Sequence, residues 1–452
     1  MVGFRGACCG AVPGIHMNSA SAEDCCDLYA IRPECQDDVP MTRFKIRPGK
    51  TLSARKWQSA FSQDGRLDMA KVLRRIQRGG IHPSIKGVVW EFLLGCYDPN
   101  STFDERNQLR QLRREQYEIW KSDCKNMEPT IGSGRIITTP VISEDRVPIQ
   151  DPSSPDLNNE DLGTPTPDVS PRHNSTDSTL AVETNVLQWK LTLHQIGLDV
   201  VRTDRALVFY VNEANLAKLC DVLCVYAWID NEINYCQGMS DLCSPMVILF
   251  EHEADAFWCF EHLMRRMRGN FKTTGSSIGV QSQLSTLAEI IKVVDPKLHR
   301  HIENLDGGEY VFAFRMLMVL FRRELSFIDA IYLWELMWAM EYNPNLFSQY
   351  EDPSAATDKS ATPKGNDKSL KQYGKFERKI VKSGSLEQQV AFSVFLMAGV
   401  LESKNKRLLM EAKGLDDVVK ILNDLTGNLD AKKACREALK IHKKYFRKTK
   451  KS

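Results

Sequence analysis

The stretch FIDAIYLWELMWAM, residues 327–340, is apolar around most of the circumference of the helix it would form. YVFAFRMLMVLFRREL, at 310–325 just before it, has the same character. A helix without a broad polar face needs other helices on nearly every side. These two runs therefore predict a large helical fold with both of them inside it. Further out, ANLAKLCDVLCVYAW at 214–228 sets Leu216, Leu219, Cys220, Leu223 and Tyr226 on one stripe. LDMAKVLRRIQRGG at 67–80 turns Leu67, Val72, Leu73 and Ile76 towards one face before Gly79-Gly80 ends the segment. Pro83 suits the first turn of the next helix, PSIKGVVWEFLLG, and FDERNQLRQLRREQYEIWK at 103–121 reads as a long, charge-laced helix. No strand-rich section, alternating β–α pattern or fixed-period repeat appears, so the expected class is all-α.

Between the helical runs the composition changes twice. Residues 126–184 are rich in Pro, Ser, Thr, Asp and Asn, hold ten acidic against three basic side chains, and have little to bury. They are expected to be a disordered insertion, as is 350–382. Thr164-Pro165, Thr166-Pro167 and Ser170-Pro171 resemble proline-directed phosphorylation sites. The expected organisation is an irregular leader over 1–64, a helical domain over 65–425 broken by the two insertions, and a basic helix or tail over 426–452.

A net charge of +2 argues against a protein dedicated to nucleic acid. Thirteen cysteines, an odd and irregularly spaced set, and an N-terminus without a secretory apolar core predict a cytoplasmic chain with reduced thiols. The longest uncharged apolar run, AFSVFLMAGVL at 391–401, is too short to span a bilayer. Membrane contact would therefore be peripheral. Residues 431–452, with ten Lys or Arg against one Glu, are the candidate for contact with an anionic surface.

Self-contained catalysis finds no support. RPGKT at 47–51 ends like a phosphate-binding loop, but the glycine that must open the loop is replaced by Phe44. His252-Glu253 begins a zinc signature whose second histidine position is Ala256. Cys220 and Cys224 lie one helical turn apart with no second pair at ligand spacing, so they read as small apolar groups. No metal site is expected.

Two polar groups stand out beside apolar runs. Arg202 follows Ile196-Gly197-Leu198-Asp199-Val200-Val201, and Gln237 lies in INYCQGMSD at 233–241. The β-branched pair Val200-Val201 is poor at prolonging a helix, which places Arg202 at a helix end. Gly238 marks a bend after Gln237, and Tyr235 would point the same way as Gln237 in an extended segment. An isolated D-x-x-R is most often a weak structural ion pair. Shown together, however, an arginine and a glutamine suit GTP hydrolysis. The first neutralises charge developing between the β- and γ-phosphates, and the second orients the attacking water. Without a nucleotide loop here, the nucleotide would belong to a partner.

I-x-x-D-x-x-R at 196–202 followed by Y-x-Q-G-M at 235–239 resembles the TBC-domain Rab GTPase-activating proteins. GIHPSIKGVVWEFLLG at 80–95, FAFRMLMVLFRREL at 312–325 and LWELMW at 333–338 extend the resemblance in order and spacing. It implies a V-shaped, all-helical TBC domain that binds a GTP-loaded Rab and regulates vesicle trafficking from the cytoplasm or the surface of endomembranes. The protein would be an activator rather than an enzyme in its own right. It would carry no cofactor, since GTP and Mg²⁺ come with the partner. By position Arg202 becomes an arginine finger and Gln237 a glutamine finger. Asp199 orients the finger region or caps its helix, with Ile196 and Gly238 completing the two motifs. Tyr235 supports the glutamine loop or touches the GTPase, Trp90 packs beneath the site, and Arg315 stabilises it or the interface. The chain departs from the family at Lys86, where an arginine is usual, and at Met316, where a tryptophan is usual. A lysine keeps the charge and loses the planar fork. The alternative is a scaffold that binds a Rab without stimulating hydrolysis.

Overall fold

The structure, a computed structural model, describes residues 29–138, 177–274, 277–351, 369–383 and 390–449. Its helices are α1 (Ala54–Gln58), α2 (Met69–Gly79), α3 (Lys86–Leu93), α4 (Phe103–Met127), α5 (Asp177–Val200), α6 (Glu213–Ile229), α7 (Met239–Leu249), α8 (Glu253–Phe271) and α9 (Gly279–Val294). There follow α10 (Pro296–Asn304), α11 (Phe314–Met318), α12 (Phe327–Glu341), α13 (Leu346–Glu351), α14 (Glu377–Ser383), α15 (Phe392–Glu411), α16 (Leu415–Asn423) and α17 (Ala431–Thr449). Among the described residues the only strands are a two-residue hairpin pair, Thr273–Thr274 with Ser277–Ile278. The all-α class expected from the sequence therefore holds.

Helix α12 shows why. From Phe327 to Met340 every residue except Ile328 is buried. The helix is packed by α2, α3, α15 and α17. Its cap is made by Ser326, whose side chain accepts from the Asp329 amide. Trp90 of α3 packs edge-on against Trp338, with centroids 4.9 Å apart, and near Trp334. Two acids inside this apolar rod are matched from outside. Glu335 takes Lys86 Nζ at 2.5 Å and Trp90 Nε1 at 3.1 Å. Asp329 accepts the backbone N–H groups of Arg43 and Phe44, each at 2.7 Å.

Those last contacts correct the expected leader. From Tyr29 onward the N-terminal segment is part of the domain. Ile31 bridges to Leu207, Thr42 Oγ1 donates to Ser326 Oγ at 3.1 Å, and Trp57 is 1% exposed. The segment lacks helical periodicity because it is a strap, held by backbone pairing and single buried side chains.

The expected insertions are also narrower where they are described. Residues 128–138 form tight turns that bury Ile131, and the Gly132 N–H donates to both Asp221 carboxylate oxygens. The backbone then crosses α5 so closely that a Cβ on Gly197 would lie 1.7 Å from the Ile137 carbonyl oxygen. Helix α5 already begins at Asp177. In the second insertion, Gly374 N–H donates to the Tyr342 carbonyl at 2.7 Å, and Phe376 is buried against Phe392 and Phe395. The three proline-directed sites at 164–171 lie outside the described residues.

The C-terminal boundary moves too. Helix α17 is amphipathic, and its apolar face (Ala434, Cys435, Ala438, Leu439 and Ile441) is buried on α12, α15 and α9. It completes the core instead of trailing from it. Only its basic face remains for any anionic surface.

Candidate functional site

Helix α5 ends at Val200, as the β-branched pair predicts, and Val201 and Arg202 emerge into solvent. Just before the exit, Asp199 is 1% exposed. A buried carboxylate needs donors, and it has three. Gln195 Nε2 donates at 3.2 Å, Tyr235 Oη at 2.7 Å, and Arg202 Nη2 pairs with the same oxygen that Gln195 reaches. Arg202 itself is 55% exposed, so its guanidinium is anchored at one edge and free at the other. This explains why an acid and an arginine sit three apart at a helix end.

The second element is the loop between α6 and α7. Asn234 adopts φ 56° and Gly238 φ 103°, so the chain turns sharply on both sides of Gln237. A Cβ at Gly238 would meet Val319 Cγ1 at 2.9 Å, which adds a steric reason to the conformational one. The Gln237 side chain is exposed and makes no hydrogen bond among the described residues. Its carboxamide is available to a partner.

Two bonds tie the loops together. Tyr235 Oη reaches Asp199, and Thr203 Oγ1, which also donates to the Asp199 carbonyl, lies 2.8 Å from Ser240 Oγ. One residue beyond Thr203, Asp204 holds φ 48° and accepts Ser244 Oγ at 2.6 Å together with the Arg322 guanidinium. Burial, and then the Asp199 carboxylate, push the Tyr235 phenol well above its ordinary range. It is thus a neutral donor at any working pH. Neither exposed group, Arg202 or Gln237, has to gain or lose a proton to act.

The flanking segment 314–324 supplies the third wall. Arg323 bonds Asp241, in the first turn of α7, at 2.8 Å. Arg315, 49% exposed, donates Nε to Glu324 at 3.0 Å. Burial raises the Glu324 pKa, and Arg315 works against that rise. Met316 is buried, so the position where a tryptophan was the usual residue serves packing here.

The predicted site residues thus divide. Arg202, Gln237, Asp199, Tyr235 and Gly238 are brought together, and Ile196 fills the core beneath them at 0% exposure. Arg315 flanks them from α11. Trp90, expected to pack beneath the site, and Lys86, noted as a departure from the family, lie in the core. Both are fully buried, sharing Glu335, so neither can touch a partner. Lysine suffices at 86 because the position carries a one-point buried ion pair and needs no planar fork. Thr203, Ser240, Asp204 and Arg322 were not singled out from the sequence. Thr203, Asp204 and Ser240 adjoin the two motifs in sequence, but nothing there signalled their contacts or the part of Arg322.

Among the described residues no group of three or more His, Cys, Asp or Glu is placed to hold a metal ion, and no helix is long and apolar enough to cross a membrane.

Comparison with known proteins bears on the family and the fold. Residues 168–349 match the family model described as the Rab-GTPase-TBC domain. The chain is 30% identical over 369 residues to Rab GTPase-activating protein 22 of Arabidopsis thaliana, covering 64% of this chain and 66% of that protein. It is 28% identical over 329 residues to TBC1 domain family member 17 of Homo sapiens, covering 70% and 43%. To the GTPase-activating protein GYP7 of Saccharomyces cerevisiae it is 26% identical over 391 residues, covering 84% and 43%. The match thus spans about two thirds of the plant protein and well under half of the human and yeast ones. Among solved structures, the crystal structure of the Ypt/Rab-GAP domain of Gyp1p has a similar fold. Its TM-score is 0.53 at 17% identity, covering 85% of this chain and 96% of that one.

Proposed function

Since this chain belongs to the TBC-domain family of Rab GTPase-activating proteins, we propose that it stimulates GTP hydrolysis on a Rab-family small GTPase, with Arg202 and Gln237 entering the partner's active site. The observation that carries the reading is the pairing of these two exposed groups on loops fastened to each other through Tyr235–Asp199 and Thr203–Ser240.

The GTPase brings GTP and Mg²⁺. The Arg202 guanidinium faces the charge that builds between the β- and γ-phosphates, and the Gln237 carboxamide orients the water for in-line attack. The Arg202 guanidinium holds the buried Asp199 through Nη2 alone, so its free edge can face phosphate oxygens while that contact is kept. Asp199 and Tyr235 position the two loops, and Arg315 lies where the flank of the partner would rest. Such an activity serves vesicle trafficking, acting from the cytoplasm on GTPases carried by endomembranes.

The test is single-turnover GTP hydrolysis across a panel of GTP-loaded Rabs with the parent, Arg202→Ala and Gln237→Ala. Arg202→Ala is expected to lose roughly 10³–10⁵ in stimulated rate while retaining binding to the GTP-loaded partner. Parental stimulation by that variant would refute the assignment. A parent that binds Rabs and stimulates none of them would be the non-catalytic scaffold instead.

A further inference from the structure

An open cleft of about 550 Å³ lies between α10 and α15. Its walls include Lys297, Arg300, His301, Asn405, Lys406 and Met410. Lys297, Arg300 and Lys406 are exposed and form no ion pair among the described residues; Arg300 only donates Nε to the Pro296 carbonyl at 3.3 Å. His301 uses Nε2 on the Leu408 carbonyl at 3.0 Å.

The acids nearby have partners of their own, cations for Glu402 and Glu411, an amide for Asp295, and for Glu303 an imidazole that burial holds below its ordinary pKa. Asp295 pairs with the Asn405 amide, Glu303 lies 3.3 Å from His299, Glu402 lies 3.4 Å from Lys444, and Glu411 takes Arg407 at 3.0 Å. Arg407, next to Lys406, has a second partner in Asp424 at 2.8 Å. Three cations thus stand around one concavity without an ion-pair partner among the described residues. Its volume falls in the range of small-molecule sites.

The surroundings select among anions. Met410, 72% exposed, stands at the rim and adds an apolar group beside the cations. The basic end of α17 adjoins the same wall. Lys448 Nζ donates to the carbonyls of Val293 and Val294 at 2.9 and 3.3 Å, immediately before α10 begins. Clustered cations, an exposed methionine and a basic helix end on one face match a phosphorylated headgroup rising from a lipid surface.

We propose that this cleft binds the phosphorylated headgroup of an inositol lipid in a membrane, through Lys297, Arg300 and Lys406. The same phosphate chemistry is present in soluble inositol phosphates, and the test separates the two.

The full chain is mixed with vesicles of phosphatidylcholine carrying phosphatidylinositol bisphosphate, or with vesicles matched in charge by phosphatidylserine, and sedimented. The parent is expected to prefer the inositol lipid. Lys297→Glu/Arg300→Glu/Lys406→Glu is expected to lose about fivefold per residue, on the order of a hundredfold together, and the milder triple Gln variant somewhat less. Lys440→Glu, on α17, should bind as the parent does. Unchanged binding by both triple variants, or equal binding to the serine lipid, overturns the proposal. So does tight binding of inositol hexakisphosphate in calorimetry without vesicle binding, which would move the ligand into solution. Stimulation of a soluble GTPase is unaffected in either case, so failure here is distinct from failure of the proposed activity.

Discussion

Replacing Tyr235 by Phe deletes a single oxygen and leaves the ring in place. That oxygen donates to Asp199 at 2.7 Å, and Asp199 is 1% exposed. A hydrogen bond to a charged group is worth about 1.5–3 kcal/mol. Gln195 and Arg202 remain as donors, so the carboxylate is not orphaned. We expect Tyr235→Phe to lose about 2 kcal/mol in equilibrium urea unfolding of the full chain. The phenol stays protonated throughout the neutral range, because burial and Asp199 both hold its pKa up. The loss should therefore be the same at pH 6 and at pH 9. Gln237 lies two residues further along, on the loop this bond fastens. Sub-ångström looseness there should cost roughly tenfold in stimulated single-turnover hydrolysis, far less than removing a finger. Partner binding should be unaffected. Stability within about 0.5 kcal/mol of the parent would mean the bond carries nothing. A destabilised protein with the parental rate would mean that the bond holds the fold without coupling the loops.

Two further perturbations test the core. Lys86→Met strands Glu335, whose carboxyl burial already pushes above the usual range, and should cost about 3–5 kcal/mol, read by urea unfolding. The double variant Lys86→Met/Glu335→Leu should recover most of that loss. His442 has both ring nitrogens buried without a partner among the described residues, enclosed by Phe376, Phe395 and Phe446. Burial first, and Lys379 second, lower its pKa from 6.5 to about 4. The unfolded chain takes up a proton near pH 6.5 that the folded chain refuses until about pH 4, so stability falls as pH drops through that window. The fall should be about 2 kcal/mol, allowing for partial solvent screening, and His442→Met should abolish it and gain about 1 kcal/mol at pH 7. An identical pH profile in the variant would exclude His442 as the source.

Most of the helical core was legible because its signal is local. The circumference of 327–340, the stripes of 214–228 and the glycine stops all act within one helix. The strap over 29–64 was not, because it is held by partners such as Asp329, almost three hundred positions away. Residues 128–138 and 369–383 are polar in composition and were expected to be disordered. A few buried groups, Ile131 in the first and Tyr373, Phe376 and Glu377 in the second, with a few backbone bonds, are enough to dock them. At the site, Arg202 and Gln237 could be found from their motifs. The Thr203–Ser240 contact could not, since hydroxyls at 203 and 240 carry no periodic or spacing signal. Lys86 was visible in the sequence only as a departure from a resemblance. Only the buried Glu335, on a different helix, explains it.

The covering of α12 has a practical corollary. The stretch matched by the family model, 168–349, contains this helix and none of the four that enclose it. Excised on its own, that stretch would present Trp334 and Trp338 to water, and its finger loops would sit on a scaffold without a floor. A unit that keeps α12 covered includes the strap from Tyr29 and helix α17. Strap and α17 are both keystones here, and cutting away either one uncovers the arch that holds the fingers up.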